Sequence, residues 1–211
     1  MDNLKWSNKM NVSETIRCAK FPCQDVRHTC YAVPDIELDP ERVTIVLISE
    51  SAPERSEDYY YRSGEPLFQQ TTLLAFQDAG APIQKFQELL DQGIYCTCAV
   101  KCAKTGYLLK SSTIEECSRL LEAELTLFAN ARVYLLMGDA AIKAMNFIAR
   151  RNGEPRVIPA GSTYKIRSQP YYFRGKQAFP SYLQAGPSFF IEKSKRKMIA
   201  EDIARALELA G

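Results

Sequence analysis

The chain reads as an α/β protein with a mostly parallel sheet, and three observations predict it. Val43 to Ser49 (VTIVLIS) is an apolar, β-branched run of strand length. Val133 to Met137 (VYLLM) is a second such run, uninterrupted and too short for a helix, as in a parallel strand covered on both faces. Between and beyond them, Ile94 to Asn146 passes through strand, loop, helix, strand and helix in succession. Parallel sheets are built from that alternation.

Length and composition bound the rest. At 211 residues, with 46% hydrophobic and 25% charged residues, the chain suits one domain over 1–211 with a full core. The opening MDNLKWSNKM lacks the apolar centre of a signal peptide, and no run approaches a membrane span. A cytoplasmic protein with no membrane partner, and a monomer, is the expectation. Seven cysteines in a reducing compartment are expected as thiols or metal ligands rather than disulfides. A net charge of +2 is no nucleic-acid signature, so any such binding must rest on local clustering.

Taken in order, residues 1–42 are a polar extension carrying Cys18, Cys23, His28 and Cys30, whose spacing fits no standard zinc motif. The strand at 43–49 is broken by Glu50-Ser51-Ala52-Pro53-Glu54, at the end where open α/β sheets keep their sites. Gly64-Glu65-Pro66-Leu67-Phe68 follows, then a short helix from Thr71 stopped by Gly80 and Pro82. In Tyr95 to Cys102, residues Cys96, Cys98, Val100 and Cys102 alternate, so a fully extended strand points all four to one face. Ser112-Thr113 with Glu115 and Glu116 forms a capping box for a helix that buries Ile114, Cys117, Leu121, Leu125 and Phe128. After the strand at 133–137, Asp139 is placed to cap a helix from Ala140 to about Arg150. In 150–176, basic residues outnumber the one acid, Glu154, and are interleaved with Tyr164, Tyr171, Tyr172 and Phe173. Arg167, Arg174 and Lys176 there, with Lys193, Lys195 and Arg196 on a final helix over 192–209, are the candidate phosphate contacts. An ordinary solvated hairpin is the other reading of 150–176.

Several of these pieces carry a resemblance. Val100-Lys101-Cys102, a cysteine fifteen residues on at Cys117, and Leu135 to Ala141 (LLMGDAA) resemble, in order and spacing, the middle of a uracil-DNA glycosylase, most similar to the iron–sulfur branch. Over 43–207 the resemblance implies a three-layer α/β/α sandwich around a short, mostly parallel four-stranded sheet. It implies hydrolysis of the bond between a base and deoxyribose, after the nucleotide is flipped out of single- or double-stranded DNA. It places Glu50, Ser51 and Glu54 on the water-activating loop, with Ala52 and Pro53 kept from that loop's motif. Phe68 matches the aromatic residue that stacks on the base, and Cys98 the Asn that reads its edge. Phe179-Pro180-Ser181 matches the His-Pro-Ser signature. It also implies a [4Fe–4S] cluster on Cys102, Cys117 and two of Cys18, Cys23 and Cys30, where the branch usually writes CxxC.

The departures fall on the chemistry. Ser51 stands for a Glu, Cys98 for an Asn and Phe179 for a His. A base edge left unread in a pocket forfeits roughly 1–3 kcal/mol per polar group. A lost donor to a departing anion costs on the order of 10²–10³ in rate. Three functions stay open on these residues: a divergent glycosylase on a damaged base, a non-catalytic nucleic-acid or nucleotide binder of the same fold, and an iron–sulfur or zinc cysteine protein.

Overall fold

A computed structural model describes residues 9–210. The first eight residues, within the opening stretch read for a leader, lie outside the described ones. The elements run β1 (Met10–Asn11), α1 (Val12–Thr15), β2 (Val26–Arg27), β3 (Glu37–Leu38), β4 (Ile45–Ala52), α2 (Leu67–Asp78) and α3 (Phe86–Asp91). They continue with β5 (Ile94–Lys104), α4 (Ser111–Leu125), β6 (Val133–Met137), α5 (Asp139–Arg151), α6 (Thr163–Ile166), β7 (Tyr171–Phe173), β8 (Lys176–Ser181) and α7 (Lys193–Ala210).

The main sheet has the order β2-β5-β4-β6-β8-β7. Its four central strands are parallel, and β2 and β7 close the edges antiparallel. The sheet therefore has six strands where four were expected. The two extra ones are two and three residues long, too short to stand out as apolar runs. The runs at 43–49 and 133–137 do pair in parallel, Ile45 opposite Val133 through Ile48 opposite Leu136. One face packs against α4 and α5 through Val46, Ile48, Tyr95, Tyr134 and Leu136. The other packs against α2, α3 and α7 through Leu47, Cys96, Leu135 and Phe179. These are the three layers of an α/β/α sandwich. Among the described residues no helix is long and apolar enough to cross a membrane.

Three local expectations are corrected. In β5, Cys96 and Cys98 join the α2–α7 side, but Val100 and Cys102 join the α4–α5 side. The cause is a register break, with Ser51 opposite Val100 but Ala52 opposite Ala103, which reverses the alternation beyond it. The capping box at Ser112-Thr113 does not form. The carboxylate of Asp25 caps α4 instead, accepting the Lys110 N–H at 2.6 Å and the Thr113 hydroxyl. Asp139 lies inside the first turn of α5, paired with Lys143 at 2.5 Å, and the cap position is Gly138 at φ 101°. That glycine is required twice over, because a Cβ there would stand 2.6 Å from the side chain of Glu50.

Candidate active site

At the carboxyl ends of β4, β5 and β8 the chain encloses a cavity of about 480 Å³. Its walls are the segment from Glu50 to Arg55, Phe68 on the first turn of α2, Lys104 at the end of β5, and the loop from Ala185 to Ser188. Pockets for small ligands run from roughly 300 to 1,000 Å³. A buried polar network is anchored by Gln184, next in sequence to the wall loop that starts at Ala185. Gln184, fully buried, donates to Tyr60 at 2.9 Å and to Ser49 at 3.1 Å, and Ser49 is bonded to Tyr60. The N–H of Gly186 donates to Thr71 Oγ1 at 3.2 Å, tying the wall loop to α2.

The acids differ in setting. Glu50 is half-buried and accepts the N–H of Ala140, in the first turn of α5, at 3.3 Å. The Glu54 side chain is exposed, and its carbonyl accepts from Arg27 and from the thiol of Cys30. Asp58, not singled out from the sequence, also lines the pocket and accepts the Leu67 N–H at 3.3 Å.

Ser51, Ala52, Pro53 and Phe68 of the sequence-derived set come together with Glu50 and Glu54 in this pocket. Cys98, Phe179, Pro180 and Ser181 do not line it. Phe179 to Ser181 are strand residues of β8 opposite Leu135 to Met137, and Phe179 is core. The Ser181 hydroxyl is taken by Asp202 at 2.6 Å. The pocket wall is instead a second Pro-Ser pair, Gly186-Pro187-Ser188. The signal for it was present, seven residues further on, in a segment too Gly- and Pro-rich to be strand. Cys98 is fully buried, and burial pushes its thiol up to about 12. Tyr59, in the same cluster, ends in a buried hydroxyl with no partner among the described residues.

A second cavity, about 320 Å³, opens on the other side of β5. Cys18, Cys23, Cys102 and Cys117 all line it, with Arg17, Lys20 and Arg119. Burial, followed by the neighbouring thiols, pushes Cys102 up to about 12. Burial also raises Cys117, to about 11, against the bond from the Lys101 N–H and the Lys101 charge. Cys30 does not line this cavity, being turned to Glu54. Among the described residues no three Cys, His, Asp or Glu side chains are placed to share one metal ion. A [4Fe–4S] cubane asks for something else, four thiolates spread around a cavity with each on its own iron. Four cysteines and three cations around one cavity fit that donor set.

Beside the cysteine cavity, which Lys101 lines, Lys101 and Glu124 form an ion pair with both side chains fully buried. Lys101 Nζ also donates to Thr97 Oγ1 and to the Cys98 carbonyl, each at 2.8 Å, and Glu124 accepts from Tyr95 at 2.6 Å.

The basic residues are mostly engaged. Arg167 bonds Asp202 and Glu201, and Arg174 bonds Glu154 at 2.7 Å. Lys176 donates to the carbonyls of Phe128 and Ala129, in the turn after α4. Arg174 and Lys176 sit at the amino end of β8, opposite the pocket. Lys195 pairs with Glu192 and Arg196 with Asp78, which leaves Lys193 and Lys197 exposed without an ion pair among the described residues.

The family model of the uracil DNA glycosylase superfamily matches residues 37–203. The chain belongs to that superfamily. A "Type-5 uracil-DNA glycosylase" of Thermus thermophilus is 28% identical over 121 residues, covering 56% of this chain and 52% of the relative. The chain thus spans about half the length of that curated relative. Gly186, in the wall of the strand-end pocket, offers no side chain to a ligand.

Proposed function

We propose that this protein hydrolyses the N-glycosidic bond of a damaged base in DNA. The observation that carries the reading is the joining of the Glu50–Glu54 loop, Phe68 and Gly186-Pro187-Ser188 around one base-sized cavity. A flipped base would stack on Phe68, since every base offers a π-face. Glu50 is the acid for the water, half-buried and held at the start of α5. Its carboxylate would orient the water toward C1′ and stabilise the positive charge that develops on the sugar. Ser51, buried in the same wall, offers a second hydrogen bond to that water.

DNA would be held on the side where Lys193 and Lys197 follow the Pro187–Phe190 turn. Cys18, Cys23, Cys102 and Cys117 would hold a [4Fe–4S] cluster, which ties the N-terminal extension to β5 and α4 and offsets the basic rim. Oligonucleotides carrying single uracil, hypoxanthine, xanthine or methylated bases, assayed for released base, test the activity. Release from any one supports it, and binding with no release from the whole panel rejects it. Iron analysis tests the cluster: iron near four atoms per chain, with absorbance near ~400 nm, is expected.

One observation favours a second reading, a binder without chemistry. Gly186 supplies no side-chain donor to a departing base.

A further inference from the structure

The pocket is poor in donors where a leaving anion would need them. Its two cations are turned to other partners. Arg55 is 72% exposed and bonded to Glu57 at 2.9 Å, and Lys104 donates to the Tyr107 carbonyl at 3.1 Å. In their place stand a half-buried carboxylate, Glu50, and an aromatic ring that no side chain covers at position 186. Gly186 lies so close to Phe68 that a Cβ would touch the ring at 3.5 Å.

Resting on the glycosidase reading above, we propose that the pocket takes cationic, ring-N-methylated purines, held between the Phe68 face and the Glu50 carboxylate. The chemistry of the leaving group is the reason. When the C1′–N bond of a neutral base breaks, the electron pair makes the base an anion, which asks for a donor. A ring-methylated purine such as 7-methylguanine already carries a positive charge. The same electron pair then neutralises it, so the base leaves uncharged and needs no imidazole. Water adds its oxygen to C1′ and gives a proton to Glu50 or the solvent. The products are the neutral base, an abasic deoxyribose and one proton. Before bond cleavage, an aromatic face and a carboxylate both attract the cation, the first through the ring quadrupole.

Three oligonucleotides that differ only in carrying 7-methylguanine, hypoxanthine or uracil at one position test this. Base release is read by chromatography against an enzyme-free blank. The escaped penalty for the missing donor predicts release of 7-methylguanine about 10²-fold faster than of the two neutral bases. Phe68→Leu should shrink that ratio and Phe68→Tyr should keep it, with melting curves showing both variants folded. Hypoxanthine or uracil released as fast as 7-methylguanine would overturn the cation preference and leave the glycosidase reading standing. A ratio unchanged in Phe68→Leu would overturn the assignment to that ring. No release from any of the three would overturn the cation preference, and the glycosidase reading would fall with it only if xanthine and the other bases of the panel above were also retained.

Discussion

The two cavities flanking β5 are lined by opposite kinds of group. The cysteine cavity gathers four thiols, of which Cys18 and Cys23 are separated by four residues. The strand-end pocket has Ser51 and Gly186 in its wall, and neither brings a carboxylate or an imidazole. Spacing is absorbed by a loop, because the extension needs only to bring two thiols to Cys102 and Cys117. A missing donor cannot be restored by backbone movement and has to be answered by different chemistry. The comparison therefore predicts a working cysteine site beside a substrate that does without that donor.

The largest effect is expected at the buried ion pair beside the cysteine cavity. Lys101 and Glu124 are both fully buried, and removing one partner leaves the other charge unpaired away from water. Lys101→Met should destabilise the protein by about 3–5 kcal/mol, measured by urea unfolding. Lys101→Met with Glu124→Leu should recover much of that loss, because neither charge then remains. A single variant within about 1 kcal/mol of the parent would mean that water reaches the pair.

Gly186 comes next. It sits at φ 91°, ψ −174°, a conformation essentially confined to glycine. Gly186→Ala should cost about 1–3 kcal/mol in unfolding experiments, although Phe68 leaves room for the methyl group. An unchanged midpoint would show that the loop can relax to admit a side chain there.

A smaller, pH-dependent effect separates the cavities again. In the iron-free protein the Cys102 and Cys117 thiols are raised from an ordinary value of 9.0 to about 12 and about 11, with burial the leading cause. A raised folded-state value means the folded protein holds these protons more tightly than the unfolded chain. The resulting stability is complete below pH 9 and is lost as pH climbs through 11 and 12. Melting temperature should fall over that window, and Cys102→Ser with Cys117→Ser should flatten the fall. The comparison between the two proteins removes the contribution of the buried tyrosines, which titrate in the same range.

How much of this was legible in the sequence depended on the range of the interaction. The strands at 43–49 and 133–137 were readable because burial on both faces writes a continuous apolar run. The face of Cys102 was not, since the register break opposite Ser51 and Ala52 depends on a neighbouring strand. Nor was the cap of α4, supplied by Asp25 from 85 residues away. The loop 50–54 and Phe68, picked out from their order along the chain, line the strand-end pocket. Phe179 to Ser181 do not line it. Pro180-Ser181 and Pro187-Ser188 offer the same dipeptide twice, and only the sheet shows that the first is a strand end. The basic segment 150–176 looked available for phosphates because its acids, Glu115, Glu122, Glu201 and Asp202, are distant in sequence.

That pairing sets the smallest and most discriminating prediction. If the segment 150–176 contacted DNA along with α7, about five phosphates would be neutralised, and log K would fall with log salt at a slope of roughly −4.5 on duplex. The observed pairing leaves Lys193 and Lys197 as the unpaired cations beside the pocket turn, so two contacts and a slope of roughly −1.8 are expected. Lys197→Gln should reduce the slope by about 0.9, one phosphate contact. Lys176→Gln should leave it unchanged, because that amine lies at the opposite end of β8 and is bound to carbonyls of the turn after α4. A steep slope that Lys176→Gln lowers would move the DNA to the amino ends of the strands, away from Phe68 and Glu50. The base could not then reach the pocket, and the binder without chemistry would be the reading that survives.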